Sequence, residues 1–326
     1  MNHQTRYEAE RKMMNAVAKK DFNRELAIEE IYKYQIERIK NRVDSMYMRY
    51  GSTMGLSPSE MKKLADKMDV QEFQEMARKA VQEKDFSEPT NRWLKVYNLK
   101  MRVSREELLK AQIEHELIML YNKEENYIRE QVFYESLAEL ERQAGIHGNA
   151  VGDRAKIAQQ ITDADFYGNN FSERIWGRTG RYAKTRQEVF TSLTNMYTDM
   201  DGYRSEMRRL IAVMGVSKGE AMRLLRTEMS RANSQAQQVV LEDNGFTHYR
   251  YVAETGACPI CQDLNGTVHV VKEAQIGVNC HPMHPNCRCS RYGIIEMRHK
   301  IKGSNLSDFD VYDSVDDWVN RPKDEE

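Results

Sequence analysis

From Ile28 the apolar positions Ile28, Tyr32, Ile36, Ile39, Val43, Met46 and Tyr50 recur every three or four residues, which keeps one stripe of a long helix facing a partner. The stripe stops at Gly51–Gly55, and Ser57-Pro58-Ser59-Glu60 then supplies an N-cap, a proline at the first helical position and a Glu that completes a capping box. Phe73, Met76, Ala77, Ala80 and Val81 carry a second, shorter stripe that ends at Ser87-Glu88-Pro89, because proline and the residue before it disfavour helix. Another capping box, Ser104-Arg105-Glu106-Glu107, opens a run from Leu108 to Ala144 free of Pro and Gly and closed by Gly145. At about 1.5 Å per residue this helix exceeds about 50 Å. Packing between neighbouring helices accounts for these stripes; an exposed docking face is the alternative.

Past Gly145 the pattern changes. Ile146–Asp153 is rich in Gly and Asn and reads as a hinge. Residues 154–245 return to helical periodicity, with Ser217 as a cap ahead of Lys218–Leu241 and Gly245 as the stop. The period then shortens. His248–Ala253 and Gly266–Val271, rich in β-branched and aromatic residues, predict two short strands. This divides the chain into an elongated helical region (1–145), a second region (146–303) whose residues 246–295 surround the strands, and an acidic tail (304–326). In the tail, eight acidic residues outweigh Arg321 and Lys323 for a net of −6, with Trp318 as its one candidate anchor.

Composition narrows the class. The chain has 326 residues, 49 Lys+Arg against 50 Asp+Glu, and 40% hydrophobic residues including 17 Tyr, 9 Phe and 3 Trp, so it is long enough for about two folded domains and too aromatic for a disordered chain. Its first residues lack the apolar core of a secretion signal, and no stretch approaches the ~18–20 apolar residues of a membrane span, so a soluble protein is expected.

Cysteine placement says more than charge. All five Cys (258, 261, 280, 287 and 289) fall within 32 residues, and the preceding 257 residues have none. An odd, local cluster points to metal in a reducing cytoplasm rather than to a disulfide scaffold. Cys258-Pro-Ile-Cys261 has the form of a metal knuckle, in which one turn presents two thiolates to a tetrahedral zinc. The second pair comes from His284 with Cys287 or with Cys289, and the sequence does not choose between them. Structural zinc is the favoured reading, with free or disulfide-linked thiols and a catalytic metal as its rivals. Catalysis would need an open position and a base, for which His281, Glu254 and Asp263 are the candidates. A unit of roughly 50 residues with few apolar groups would draw much of its folding free energy from the metal.

Between Glu173 and Arg231 stand twelve basic and seven acidic residues, a net of +5. Arg204, Arg208, Arg209, Arg223 and Arg226 are the candidates for contact with a phosphate backbone, without sequence reading; a solvated helix face is the competing account. Gly177-Arg178-Thr179-Gly180 lacks the ending and the preceding strand of a phosphate loop. Ser230, Ser234 and Ser290 lack the flanking glycines of a nucleophile elbow, and no nucleophile–base pair stands out.

One ordered set of residues resembles a known family: Leu225-Arg226-Thr227-Glu228, Ala232-Asn233, Gly245, Cys258-x-x-Cys261, Leu264-Asn265-Gly266, and Pro282-Met-His284-Pro-Asn-Cys287-Arg-Cys289. It is similar to the head-morphogenesis minor capsid proteins of tailed phages, of which protein F of phage Mu is one. The resemblance covers roughly residues 150–295, and its specificity lies in the order of the elements. His281 stands where the family often has a proline, and Cys280 is extra, so either could compete with His284 for a metal.

The resemblance implies a non-enzymatic minor head protein, present in few copies inside the virion and in the host cytoplasm during assembly. It further implies association with the portal protein and with capsid or scaffolding protein, contact with packaged DNA, and entry with the genome in some members. Arg226 and Glu228 match the family's Arg-Thr-Glu element, where an ion pair or cap contacts would hold the helix to the metal module. The expected fold is mainly α with a small C-terminal α+β module of zinc-knuckle type. A metal-dependent nuclease using His281 or His284 with Asp263 is the enzymatic rival. A host DNA-binding regulator is the other, though no recognition helix with a base-reading face is evident.

Overall fold

The computed structural model describes residues 3–51, 78, 105–147, 152–166, 168–198, 202–294, 299–300 and 309–310. Helices α1 (His3–Gly51), α2 (Arg105–His147), α3 (Arg154–Asp163), α4 (Phe171–Trp176), α5 (Arg181–Thr198) and α6 (Tyr203–Asp243) precede strand β1 (His248–Val252), the one-turn helix α7 (Pro259–Asp263) and strands β2 (Val268–Val270) and β3 (Ser290–Ile294). A two-stranded ribbon, β4 (His299–Lys300) with β5 (Phe309–Asp310), follows. The described residues are thus mostly helical with a small antiparallel sheet, as the periodicity predicts. None of their helices is long and apolar enough to cross a membrane. The helix starts expected at Ser57 and near Phe73 and the Trp318 anchor lie outside the described residues.

Contacts group the chain into two compact units made of non-consecutive segments. The first comprises Met1–Ile28, Glu124–Glu173 and Gly219–Glu326; the second comprises Glu29–Lys123 and Arg174–Lys218.

In the first unit the sheet has the order β2-β1-β3, with Tyr249 opposite both His269 and Gly293. Alternation along β1 sends Tyr249 and Tyr251 into the interior while His248 and Arg250 stay half-exposed. Met14 of α1, with Tyr7 and Met13 beside it, packs against Val252, Tyr292 and Ile294. Polar ties fasten the same helix to the sheet: Arg6 donates to the Gly293 carbonyl (2.7 Å), and Arg11 donates to the Ala253 carbonyl (2.8 Å) and to Thr255 Oγ1 (2.7 Å). Gly293 is required by a close approach. A Cβ there would collide with Leu241 Cδ2 and lie 2.6 Å from Phe246 Cδ1.

The interior of this unit is unusually polar. Arg142 bonds two buried carboxylates, Glu10 at 2.9 and 3.0 Å and Glu139 at 2.7 Å, and Gln237 links Glu139 (2.8 Å) to Ser290 (3.0 Å). Burial raises the Glu10 carboxyl above its ordinary range against the pull of Arg142, with Glu139 adding to the rise. A second knot joins Arg24, Asp21 and Glu135. Such bonded, charge-assisted pairs are the form in which buried charge is tolerated.

In the second unit Tyr32, Ile39 and Val43 of α1 are fully buried, but Ile36 is only half-buried. Gln35 is buried in its place, donating to the Glu116 carbonyl (2.9 Å) and side chain (3.1 Å). Glu116 also takes Arg38 (2.8 Å) and Arg42 (2.6 Å), and the hydrogen bond from Arg38 leads in holding its carboxyl down at about 2.

Two helix boundaries differ from the sequence reading. Gly145 does not end its helix, which continues to His147. Ser217 is no cap: α6 runs unbroken through it, because its hydroxyl is held by Tyr121 (2.7 Å) and Tyr32 (3.0 Å) and its carbonyl by Arg181 (2.6 Å). Gly245 does end α6. With φ +70° it forms the two-bond Schellman closure, Phe246 N–H to Leu241 O (2.9 Å) and Gly245 N–H to Glu242 O (3.0 Å), and Phe246 and Leu241 share one core cluster.

Candidate metal centre

Cys258 caps α7 and Pro259 opens it, a position where the missing N–H costs nothing, so Cys258 and Cys261 fall on one face of a single turn. Gly266, at φ +82°, reverses the chain from α7 into β2, while Asn265 Oδ1 accepts the Ala253 N–H (2.9 Å) and locks the knuckle to the end of β1. The second ligand loop follows Cys280. His284 O accepts the Cys287 N–H (3.1 Å), a turn that presents these two side chains together. Between them Asn286 takes φ +68°, a left-handed conformation that Asn tolerates better than most residues.

The ligand atoms of Cys258, Cys261 and His284 lie within 4.8 Å of one another, as do those of Cys261, Cys287 and Cys289. Cys258 Sγ is 3.2 Å and Cys261 Sγ 3.5 Å from His284 Nε2, and Cys261 and Cys287 Sγ are 3.9 Å apart. Tyr251 OH donates to Cys261 Sγ (3.5 Å), and burial pushes its phenol far above the ordinary range. Three thiols and a histidine at these separations have the donor chemistry and spacing to hold a soft or borderline cation.

The clustered thiols shift one another. The backbone N–H of Cys261 leads in lowering the Cys258 thiol. Hydrogen bonds from Cys261 and Cys289 lower Cys287, and the same pairing with Cys287 raises Cys261. Hydrogen bonding to Cys261 pulls Cys289 down, but Cys287 and burial outweigh it and push the thiol up to about 12.

The other candidates fall elsewhere. Cys280 packs with Leu241, Tyr249 and Val271 and contacts Ser234 Oγ (3.1 Å). His281 is fully buried, and neither ring nitrogen has a hydrogen-bond partner among the described residues; burial first, then the Arg291 charge, lowers it to about 3. Neither joins the ligand groups, although the sequence left open that either could compete with His284. Asp263 is exposed at the end of α7 and Glu254 is half-buried, and both stand outside those groups.

The Arg-Thr-Glu element lies on α6. Arg226 pairs with Glu25 of α1 and reaches Asn286 Oδ1 (3.4 Å), and Thr227 Oγ1 accepts the Asn286 N–H (3.2 Å). Glu228 binds Arg231 (2.6 Å), both fully buried; residues two apart on a helix do not face each other, so Arg226 and Glu228 form no pair. The roles of Thr227 and Asn286, and of Asp21, which pairs with Arg288 at 2.8 Å, were not read from the sequence. The Pro-Asn-Cys run was the available signal for Asn286.

The five arginines named for phosphate contact all lie on α6, Arg204, Arg208 and Arg209 in the second compact unit and Arg223 and Arg226 in the first. Arg204, Arg208 and Arg223 are exposed, whereas Arg209 pairs with Glu188 (3.1 Å) and Arg226 with Glu25. Arg186, Lys218 and Arg231 of the same basic stretch are also ion-paired, so part of its positive charge is neutralised within the fold.

Residues 184–292 match the family model described as Phage Mu protein F like protein. The match covers a third of the chain and contains every residue of the Cys/His cluster, in agreement with the resemblance drawn from Leu225–Cys289. No curated protein and no solved structure matches the chain.

Proposed function

We propose that this chain is a phage minor head protein that acts in head morphogenesis by binding, and that its Cys/His cluster holds a structural zinc. The single observation carrying the first part is the family match over 184–292, which spans the cluster and the helix docked against it. Zinc is supported by the donor set: clustered thiols and an imidazole suit zinc better than magnesium or calcium, which favour oxygen. When bound, zinc supplies cross-linking of α7 to the 284–289 loop. Tyr251 and the backbone N–H of Cys261 donate to sulfurs of the site, and Arg226 and Thr227 seat its second loop.

In this reading residues 146–303 form the head-morphogenesis segment, and 304–326 a separate acidic tail. The partners are the portal protein, capsid or scaffolding protein, and packaged DNA held without sequence preference through Arg204, Arg208 and Arg223. The protein works inside the virion, is in the host cytoplasm during assembly, and leaves with the genome. Mass spectrometry of purified phage heads should find the chain in few copies beside the major capsid protein, and its absence from both proheads and mature heads refutes the reading. Plasmid DNA incubated with the purified chain and Mg²⁺ or Zn²⁺ should stay intact; cleavage abolished by His284→Ala would establish the nuclease instead.

A further inference from the structure

We infer that the four metal donors are Cys258, Cys261, His284 through Nε2, and Cys287, and that Cys289 stands outside the set as a free thiol. The inference rests on the zinc reading above and names its ligands.

Zinc–sulfur bonds of about 2.3 Å and zinc–nitrogen bonds of about 2.0–2.1 Å imply tetrahedral edges of about 3.8 Å between sulfurs and about 3.6 Å from sulfur to nitrogen. The observed separations are 3.9 Å for Cys261–Cys287 and 3.2 and 3.5 Å for the two sulfurs to His284. His284 Nδ1 lies 2.8 Å from the Pro285 carbonyl, which can only accept, so Nδ1 carries the proton and the Nε2 lone pair faces the sulfurs.

Both donor pairs also share one construction. Cys258 and Cys261 are three residues apart on a capped turn, and His284 and Cys287 are three residues apart across a turn closed by the Cys287 N–H. Asn286 secures the second turn to Thr227 and Arg226, so Cys287 belongs to a loop fixed at its centre. Cys289 Sγ also lies within 4.8 Å of the Cys261 and Cys287 sulfurs, but its chain position differs. It lines a small cavity with Met13, Met14 and Val17 of α1 and Met229, Ser230 and Asn233 of α6, and it enters β3 at the next residue. Charge bears on the histidine rather than on the choice between Cys287 and Cys289. Three thiolates and a neutral imidazole leave a zinc site at −1, four thiolates at −2, and a site with two of its donors buried tolerates the smaller charge better.

The test loads the full chain with Co²⁺ and reads the sulfur-to-cobalt charge-transfer intensity, which counts thiolates, together with back-titration by Zn²⁺. The wild type should bind one equivalent with a three-thiolate spectrum. Cys289→Ser should leave stoichiometry, spectrum and affinity unchanged, while Cys287→Ser and His284→Ala should each weaken binding more than the roughly 10–100-fold that losing a supporting contact costs. Far-ultraviolet circular dichroism checks that each variant folds; if Cys287→Ser does not, Cys289→Ser decides alone. A loss of one thiolate signal in Cys289→Ser, or a four-thiolate spectrum that survives His284→Ala, overturns the assignment. A wild type that binds neither cobalt nor zinc refutes the zinc reading itself, which is a different result.

Discussion

Gly293→Ala isolates one steric constraint. Gly293 has an ordinary extended backbone, so alanine is excluded only by space: its methyl would meet Leu241 Cδ2 and sit 2.6 Å from Phe246 Cδ1 and 2.8 Å from Phe246 Cγ. Comfortable carbon contacts begin near about 3.5 Å, so the ring must retreat by about 1 Å or the strand must shift. Neither is free. Phe246 is tied to Leu241 by the closure of α6, and Gly293 O accepts Arg6 at 2.7 Å. Overpacking of this kind costs about 1–3 kcal/mol. Leu241→Ala alone should cost about 2–5 kcal/mol through the cavity it leaves. The double variant should cost less than the sum of the two, because the new methyl enters space that Leu241 vacates, with a coupling of about 0.5–3 kcal/mol. Urea denaturation followed by circular dichroism measures all three. A Gly293→Ala cost below about 0.5 kcal/mol, or strict additivity in the double variant, would refute the packing argument.

Gly215 and Gly219 lie within α6 with nothing within 4 Å of an added Cβ, so Gly215→Ala and Gly219→Ala should each stabilise the protein by about 0.5–1 kcal/mol; a fall in melting temperature would show that α6 needs a weak centre. Thr227→Val removes the acceptor for the Asn286 N–H while keeping the side chain's shape, and should lower zinc affinity about 10-fold in a chelator competition with the helical signal unchanged. Unaltered affinity would mean that the loop holds its own geometry. Glu116 is depressed to about 2, so its contribution to stability is complete above its ordinary value near 4.5 and is lost as pH falls from there toward 2. Glu116→Gln should therefore cost about 1–3 kcal/mol at pH 7 and flatten stability against pH between 4.5 and 2; an unchanged profile would assign the acid transition to other carboxylates.

Local signals carried the reading as far as local physics reaches. The Cys258/Cys261 spacing, the Gly245 stop and the β-branched and aromatic run of β1 each depend on neighbours a few residues away, and the structure contains them as turn, cap and strand. β3 was missed because Ser290-Arg-Tyr-Gly-Ile294 has an arginine and a glycine where a buried strand ordinarily shows branched apolar residues. Arg291 is accommodated by the Ser234 carbonyl (2.8 Å) and the face of Tyr249, and Gly293 by the approach of α6, partners that no window of sequence contains. Ser217 was misread for the same reason. Its hydroxyl suggests a cap, yet Tyr32 and Tyr121, far away in the chain, hold it within an unbroken helix. The charged positions of α1 carried no apolar rhythm to announce their role, although Arg6, Glu10, Arg11, Asp21 and Glu25 all bond across the first unit.

That last feature sets a schedule for synthesis. Arg6 and its acceptor Gly293 are separated by 287 positions. At about 5–20 residues per second a ribosome needs on the order of 15–60 s to make the second after the first. Throughout that interval the α1 segment must wait without the strand it is built to cover. A purely greasy segment would be an aggregation hazard for a nascent chain, whereas one that fastens itself through guanidinium and carboxylate groups as well as apolar contacts stays better hydrated until its acceptors emerge. The polar stitching thus makes the opening helix a patient latch, one whose closure is timed by the arrival of the last strand of the sheet.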